Sequence, residues 1–256
     1  MWTNYWIAYR TIARREVLRF SRIWVQTLVP PVVMVSLYFV IFGNLIGQRI
    51  GVMDGMTYVD FIMPGLVMMS IITNSYANVV SSFYGAKYSH HIEEMLIAPI
   101  PNIVILLGFV TGGVARGLSV GIAVTLVSLF FTDFSVHNPF IILLVAFLTS
   151  FLFSLAGLIN AVFANSFDHV TIIPTFVLTP LTYLGGIFYS IKLLPEIWQQ
   201  VSLGNPILYM VNSFRFGFRG SSDIDLSTAI GVILVFILIL FSVCIVLLER
   251  GTGTRQ

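Results

Sequence analysis

Two series of polar side chains interrupt segments of the chain that are otherwise apolar. They are Ser70, Asn74, Asn78, Ser81 and Thr171, Thr175, Thr179, Thr182. Residues three or four positions apart share one face of a helix, and a polar face must meet protein or water because lipid tails offer no hydrogen bonds. Each series could line a substrate pathway, or it could bond neighbouring helices at about 0.6 kcal/mol per contact. We favour the pathway for the asparagines, because amides are harder to hide than hydroxyls.

Arg116 lies near the middle of an apolar segment, where an arginine costs about 2.5 to 3.5 kcal/mol on insertion scales. Gly113, Gly117 and Gly121 accompany it at intervals of four residues, a spacing that would let another helix approach closely. The guanidinium could meet an anionic substrate in a pathway. We favour the alternative, a structural lock in which it bonds backbone carbonyls that a kink exposes.

The sequence lacks the residues for several other kinds of chemistry. A phosphate-binding loop needs glycine before lysine, yet Lys87 and Lys192 follow alanine and isoleucine, so we expect no ATP hydrolysis and no catalytic residue on this chain. The four histidines fall in predicted loops or at a segment end, which argues against a metal or haem between helices. The net charge of +2 argues against a nucleic-acid partner. Asp60 and Asp133 lie at segment ends, so a proton-coupled transporter is only the second choice.

Composition places this polar chemistry in a membrane. Hydrophobic residues make up 57% of the chain and charged residues 9%, with a mean hydropathy of +0.96, whereas about a quarter of a soluble domain is charged. A helix of about 20 apolar residues crosses the hydrocarbon core. Segments of that kind predict an all-α polytopic membrane protein with six transmembrane helices, at 24–46, 61–86, 103–131, 140–164, 169–191 and 226–248. Pro174 and Pro180 predict a kink in the fifth.

The distribution of basic residues orients these helices. An excess of Lys and Arg marks the cytoplasmic side, and six spans place both termini on one side. That side carries Arg10, Arg14, Arg15, Arg19, Arg22, Lys87, Arg250 and Arg255, against Arg49, Lys192, Arg215 and Arg219 on the other. We therefore expect both termini in the cytoplasm. Residues 1–22 mix apolar side chains with arginines, which is typical of an amphipathic helix in the headgroup region; a plain basic anchor is the alternative.

The stretch 192–220 does not fit the count of spans. It is mostly apolar or aromatic, but Pro195, Gly204, Asn205 and Pro206 break it. Two helical pieces, each too short to cross, predict a re-entrant or interfacial element on the outer side before the last span.

Several motifs resemble the type-2 ABC export permeases over nearly the whole chain. They are the basic N-terminus, Asp60-Phe61-Ile62-Met63-Pro64-Gly65, Ile92-Glu93-Glu94-Met95-Leu96-Ile97-Ala98-Pro99, and the succession of Pro180, Gly185-Gly186, Leu194-Pro195, Asn205-Pro206 and Arg215. The resemblance implies one transmembrane domain over 1–256, in the bacterial inner membrane and in contact with membrane lipid. It also implies a homodimer that works with two separate cytoplasmic ABC ATPase subunits. ATP and Mg would be bound there, and this chain would hold no cofactor.

The same resemblance implies a function and a route for the substrate. The pathway would lie between the second and fifth spans of two facing permeases, and the cargo would be a lipid, a drug or a lipid-linked glycan moved out of the cytoplasm. A proton-coupled secondary transporter and a non-transporting membrane anchor subunit remain alternatives.

Residues 87–99 predict a short amphipathic helix on the cytoplasmic side. Ile92, Met95 and Leu96 fall on one face at spacings of three and four, and Glu93 and Glu94 fall largely away from it. This is the shape of a coupling helix whose apolar face sits in a groove of the ATPase. A helix resting on lipid is the alternative, but an anionic leaflet would repel the two glutamates.

Overall fold

The structure, a computed structural model, describes residues 2–47, 51–53, 55–132 and 136–252. Arg49, Asp133 and Arg255, which entered the arguments above, lie outside these ranges. The chain begins with α1 (Trp2–Arg22) and α2 (Trp24–Tyr38), which continues as a π-helical stretch over Phe39–Ile46. Two short antiparallel strands, β1 (Val52–Met53) and β2 (Met56–Thr57), precede α3 (Tyr58–Tyr88). Then follow α4 (His91–Ile97), α5 (Asn102–Ser128), α6 (Pro139–Phe163), α7 (Phe167–Ile173), α8 (Thr179–Tyr183), α9 (Glu196–Leu203), α10 (Pro206–Arg219) and α11 (Leu226–Arg250).

Five helices of the described ranges are long and apolar enough to cross a membrane. They are the helix Trp24–Gly43 together with α3, α5, α6 and α11. Each has the length of about 20 residues that a hydrocarbon core demands. Apart from the two short strands, a helical polytopic membrane fold is thereby confirmed, while the count of six spans stays a prediction.

The segment predicted as the fifth span, 169–191, is shorter and more broken than expected. It is helical from Phe167 to Tyr183, a length of about 25 Å. A π-helical turn over Pro174–Leu178 separates α7 from α8, and it begins at one of the two prolines that predicted a kink. Regular helix ends at Tyr183, and Gly186 then adopts a positive φ of 70°, which other residues rarely do. A membrane crossing by this segment stays a prediction.

The two helical pieces predicted within 192–220 are present as α9 and α10. The Asn205 side chain caps α10 by accepting a hydrogen bond from the Ile207 backbone N–H at 3.0 Å, and Pro206 occupies the first turn, where no N–H is needed. Ile197 and Trp198 of α9 are exposed, whereas most of α10 is buried against α6 and α11. Re-entrant placement of this pair stays a prediction.

The core is organised around α3, which packs against α5, α6 and α10. Phe61, Leu66 and Ile72 of α3 are fully buried. In contrast, α2 and α11 carry rows of exposed apolar side chains, for example Val33 and Leu238, as expected of helices that face lipid. Buried polar side chains, in contrast, lie where α1, α3 and α5 meet.

Candidate functional site

The amphipathic helix α1 lies against α5 and buries one face there. Ile12, Ala13, Glu16 and Phe20 form that face, at helical spacing, and each is at most 9% exposed. A carboxylate in the middle of an apolar face requires partners, because an unpaired buried charge is strongly unfavourable. The burial of Glu16 is therefore the first clue to a polar site.

Glu16 is 1% exposed and its carboxylate is fully engaged. It accepts hydrogen bonds from Arg15 Nη2 at 3.1 Å and from Arg19 Nε at 3.3 Å, and also from the Ser82 hydroxyl of α3. Two partly exposed guanidiniums and one hydroxyl thus satisfy this buried charge. The result joins α1 to α3 through polar groups.

Arg19 reaches further into the protein. Its Nη2 donates to the backbone oxygen of Asn78 at 2.9 Å and to the side-chain oxygen of Asn78 at 2.8 Å. Asn78 is fully buried, so the amide that the sequence placed in a substrate pathway is occupied by a partner from the same chain.

A second polar layer lies one helical turn away along α3. Arg116 of α5 donates from Nη2 to the side-chain oxygen of Asn74 at 3.3 Å, and Asn74 donates back to the Ser70 carbonyl of its own helix at 3.0 Å. Arg116 Nε is buried and has no hydrogen-bond partner among the described residues. The partner is therefore a side-chain amide, rather than the backbone carbonyls that we expected for a structural lock.

Arg116 and Asn74 border a cavity of about 310 Å³ between α2, α3 and α5. Its wall combines apolar side chains such as Met34 and Leu66 with the hydroxyls of Ser70 and Thr73. Mostly apolar walls with a few placed polar groups are typical of ligand pockets. This cavity, with the polar layers beside it, is the candidate functional site.

The glycines of α5 permit this close packing. A Cβ at Gly112 would lie 2.5 Å from the Glu16 Cβ, and a Cβ at Gly113 would lie 2.3 Å from the Ser154 Oγ. Gly117 and Gly121 face Ser75 and Ile71 with equally little room. The close helix approach that the sequence predicted at Gly113, Gly117 and Gly121 is confirmed.

The two polar series have different locations. Ser70, Asn74 and Asn78 are buried, while Ser81 is exposed near the C-terminal end of α3. Of the threonines, Thr171, Thr175 and Thr179 are exposed and Thr182 is 3% exposed. Thr171 and Thr179 donate only to carbonyls of their own segment. The structure therefore does not bring the two series together within one chain, and their pathway role stays a prediction.

The predicted coupling helix is present as α4, but its apolar face is turned inward. Ile92 is 1% exposed, and Met95 and Leu96 pack against the same core. This face cannot be offered to an ATPase groove without leaving the permease core, so Ile92 is corrected from a partner contact to a core residue. Glu94 is exposed, Glu93 bonds His90 at 3.1 Å, and the apolar side chain that α4 does expose is Ile97, at 85%.

Sequence reasoning missed Glu16 and the role of Lys87. Lys87 is buried and its Nζ donates to the carbonyls of Val162 and Ala164, each at 2.8 Å, which stabilises the C-terminal end of α6. The signal for Glu16 was available, since it falls between Ile12 and Phe20 at intervals of four. No cluster of three or more metal-ligating side chains occurs in the part of the chain that the structure describes.

The long apolar helices, the short helix α4 and the buried polar layer are accompanied by a sequence match. Residues 7–218 match the ABC-2 type transporter family. The chain belongs to the ABC-2 type transporter family. The inner membrane transport permease YadH of Escherichia coli (strain K12) is 59% identical over 252 residues, which cover 98% of each chain.

More distant relatives are nodulation proteins J. That of Sinorhizobium fredii is 25% identical over 251 residues, covering 98% of this chain and 92% of the relative. That of Rhizobium leguminosarum bv. viciae is 22% identical over 255 residues, covering 98% and 93%. The chain is thus a permease subunit of an ABC transporter, and membership of this family implies association with an ATP-binding subunit. With its apolar helices, the chain is a multi-pass inner membrane protein.

Proposed function

We propose that the chain is one of two identical permeases in an exporter, paired with two separate ATPase subunits that bind ATP and Mg and hydrolyse ATP. The observation that carries this proposal is the exposed threonine face of α7 and α8. Thr171, Thr175 and Thr179 are exposed on a largely apolar segment. The hydroxyls of Thr171 and Thr179 already donate to carbonyls of their own segment, but their oxygens can still accept hydrogen bonds, which protein or water supplies and lipid tails do not. A second permease facing this surface would enclose a polar route between the two chains.

The proposed cargo is an amphiphile such as a lipid, a drug or a lipid-linked glycan. The cavity beside Arg116 supports this class, since apolar wall alternates with hydroxyl, amide and guanidinium groups. Such a wall can hold an apolar chain and a polar head together. The proposed direction of transport is export from the cytoplasm. Both termini are proposed to lie on the cytoplasmic side.

The coupling contact to the ATPase is proposed on the outer side of α4. Ile97 is 85% exposed and Glu94 lies beside it on the exposed surface. An apolar anchor flanked by charge is a common way to seat a helix in a groove. Ile92, Met95 and Leu96 would support this contact from beneath by fixing α4 on the permease core.

Co-purification from native membrane tests the proposal. A tagged chain should retain an ATPase with a phosphate-binding loop, and the purified complex should transport only when ATP is supplied. Ile97→Asp should release or uncouple this ATPase while the permease keeps its abundance. Leu193→Asp, at another exposed apolar residue predicted on the opposite side, is the control and should leave the complex intact.

Two outcomes contradict the proposal. Transport by the permease alone, driven by a proton gradient, would favour the secondary transporter. An Ile97→Asp variant with full ATPase association and full transport would remove α4 from the coupling role.

A further inference from the structure

A large cleft opens between α1 and the C-terminal end of α3, and it borders the polar layer around Glu16. Its volume is about 1020 Å³. Five arginines line it against a single carboxylate, that of Glu16: Arg10, Arg14, Arg15, Arg19 and Arg22.

Only part of this positive charge is neutralised within the chain. Arg15 and Arg19 pair with Glu16, whereas Arg10, Arg14 and Arg22 are exposed and make no ion pair among the described residues. Arg10 and Arg14 are four residues apart, where like charges on a helix repel. An anion between them would remove that repulsion, and guanidiniums suit phosphate oxygens because they donate two parallel hydrogen bonds.

The remaining lining of the cleft identifies the kind of anion. Trp6, Ile7, Leu18 and Ile23 are apolar and each is more than 40% exposed beside the arginines. A free inorganic anion would leave these side chains uncovered. On the opposite wall, Ser81, Ser82 and Ser89 of the α3 end bring hydroxyls to the same cleft. The cleft therefore combines a site for an anionic head with a surface for apolar chains.

We propose that this cleft binds an anionic phospholipid of the cytoplasmic leaflet, such as phosphatidylglycerol. The headgroup phosphate lies among Arg10, Arg14 and Arg22, and the acyl chains run along Trp6 and Leu18. Amphipathic helices bind anionic lipid through this pairing of apolar area with basic charge. The bound lipid fixes α1 against α3, next to the buried Glu16 contact, without taking part in transport as cargo.

Lipid retention by the purified full chain tests the proposal. The chain is extracted from vesicles of equal parts phosphatidylglycerol and phosphatidylcholine, and bound lipids are counted by native mass spectrometry. Each arginine near an anionic surface contributes about a fivefold change in affinity, so the triple variant Arg10→Gln, Arg14→Gln, Arg22→Gln should retain phosphatidylglycerol at least tenfold less. Arg250→Gln, at an exposed arginine near the C-terminus, is the control and should retain it normally. Substituting lysine at the three positions should restore retention only in part, because lysine keeps the charge and loses the paired donors.

A second measurement needs no arginine variant. Phosphatidylglycerol brominated on its acyl chains should quench the fluorescence of Trp6 more than brominated phosphatidylcholine does, with Trp6→Phe identifying the signal. Excess glycerol phosphate without acyl chains should not reverse the quenching. Equal quenching by both lipids, or equal retention in the triple glutamine variant, would overturn the proposal. So would loss of the ATPase from that variant with unchanged lipid retention, since the cleft would then be a docking surface for protein.

Discussion

The polar series on α3 and the threonine series on α7 and α8 have opposite surroundings. Asn74 and Asn78 are buried and accept hydrogen bonds from Arg116 and Arg19, so their side-chain oxygens are matched inside one chain. The exposed threonines have no such partners, and Thr179 bonds only the Pro174 carbonyl below it. A polar face in an apolar segment can therefore either bond neighbouring helices of the same chain or remain exposed to a partner. The helices packed around it decide between the two.

The largest effect on stability should come from removing the buried charge of Glu16, which links α1 to α3. Glu16→Gln leaves Arg15 and Arg19 without their carboxylate, and breaking such a buried pair costs about 3 kcal/mol of the free energy of unfolding. Unfolding measured in detergent micelles checks this value. Glu94→Gln, at an exposed glutamate of α4, should change stability by less than about 0.5 kcal/mol. Equal effects of the two substitutions on the free energy of unfolding would mean that the Glu16 carboxylate does not stabilise the fold.

A smaller loss of stability should follow from crowding the contact between α1 and α5 beside Glu16. Gly112→Ala places a methyl group 2.5 Å from the Glu16 Cβ, which is too close, and overpacking of this kind costs about 1 to 3 kcal/mol. Gly231→Ala is the matched control, since nothing lies within 4 Å of its Cβ position on α11. The thermal midpoints of the two variants should move in opposite directions or differ by several degrees. A tolerated Gly112→Ala would show that α1 can lift away from α5.

The smallest effects on stability, and the clearest effects on function, should come from the two polar series. Asn74→Leu removes the partner of Arg116 and should lower stability by about 1 kcal/mol. Thr179→Val should leave stability within about 0.5 kcal/mol and still alter substrate-stimulated ATP hydrolysis in the reconstituted complex. Ser242→Ala on the exposed side of α11, another hydroxyl bonded to its own helix, is the control. Unchanged stimulation in Asn74→Leu and Thr179→Val would remove both series from the mechanism.

Much of the architecture could be predicted because membrane helices follow from local sequence. Long apolar segments located α3, α5, α6 and α11, and the glycine spacing around Arg116 correctly predicted close packing. The partners of the polar groups could not be predicted, because they depend on how helices distant in the sequence meet. Glu16 contacts Ser82 only because α1 docks on α5.

The errors have the same physical origin. Periodicity correctly placed Ile92, Met95 and Leu96 on one face, but it could not tell whether that face packs on the permease or on another protein. His90 adopts a left-handed conformation with φ of 60°, and this turn directs the face of α4 back to the core. Likewise, the helix expected to reach residue 191 ends at Tyr183, where Gly185 lets the Ile207 side chain approach to 2.6 Å of its Cβ position.

The claim that the threonine face meets a second copy of the chain is tested most directly by cross-linking in native membrane. The natural cysteine, Cys244, is buried and is first replaced by alanine. Thr175→Cys in that background should then form covalent dimers with a short bifunctional thiol reagent, whereas Ser242→Cys should remain monomeric. If Thr175→Cys gives no more dimer than Ser242→Cys, the threonine face is not closed by a second permease and the proposed route between two chains is wrong.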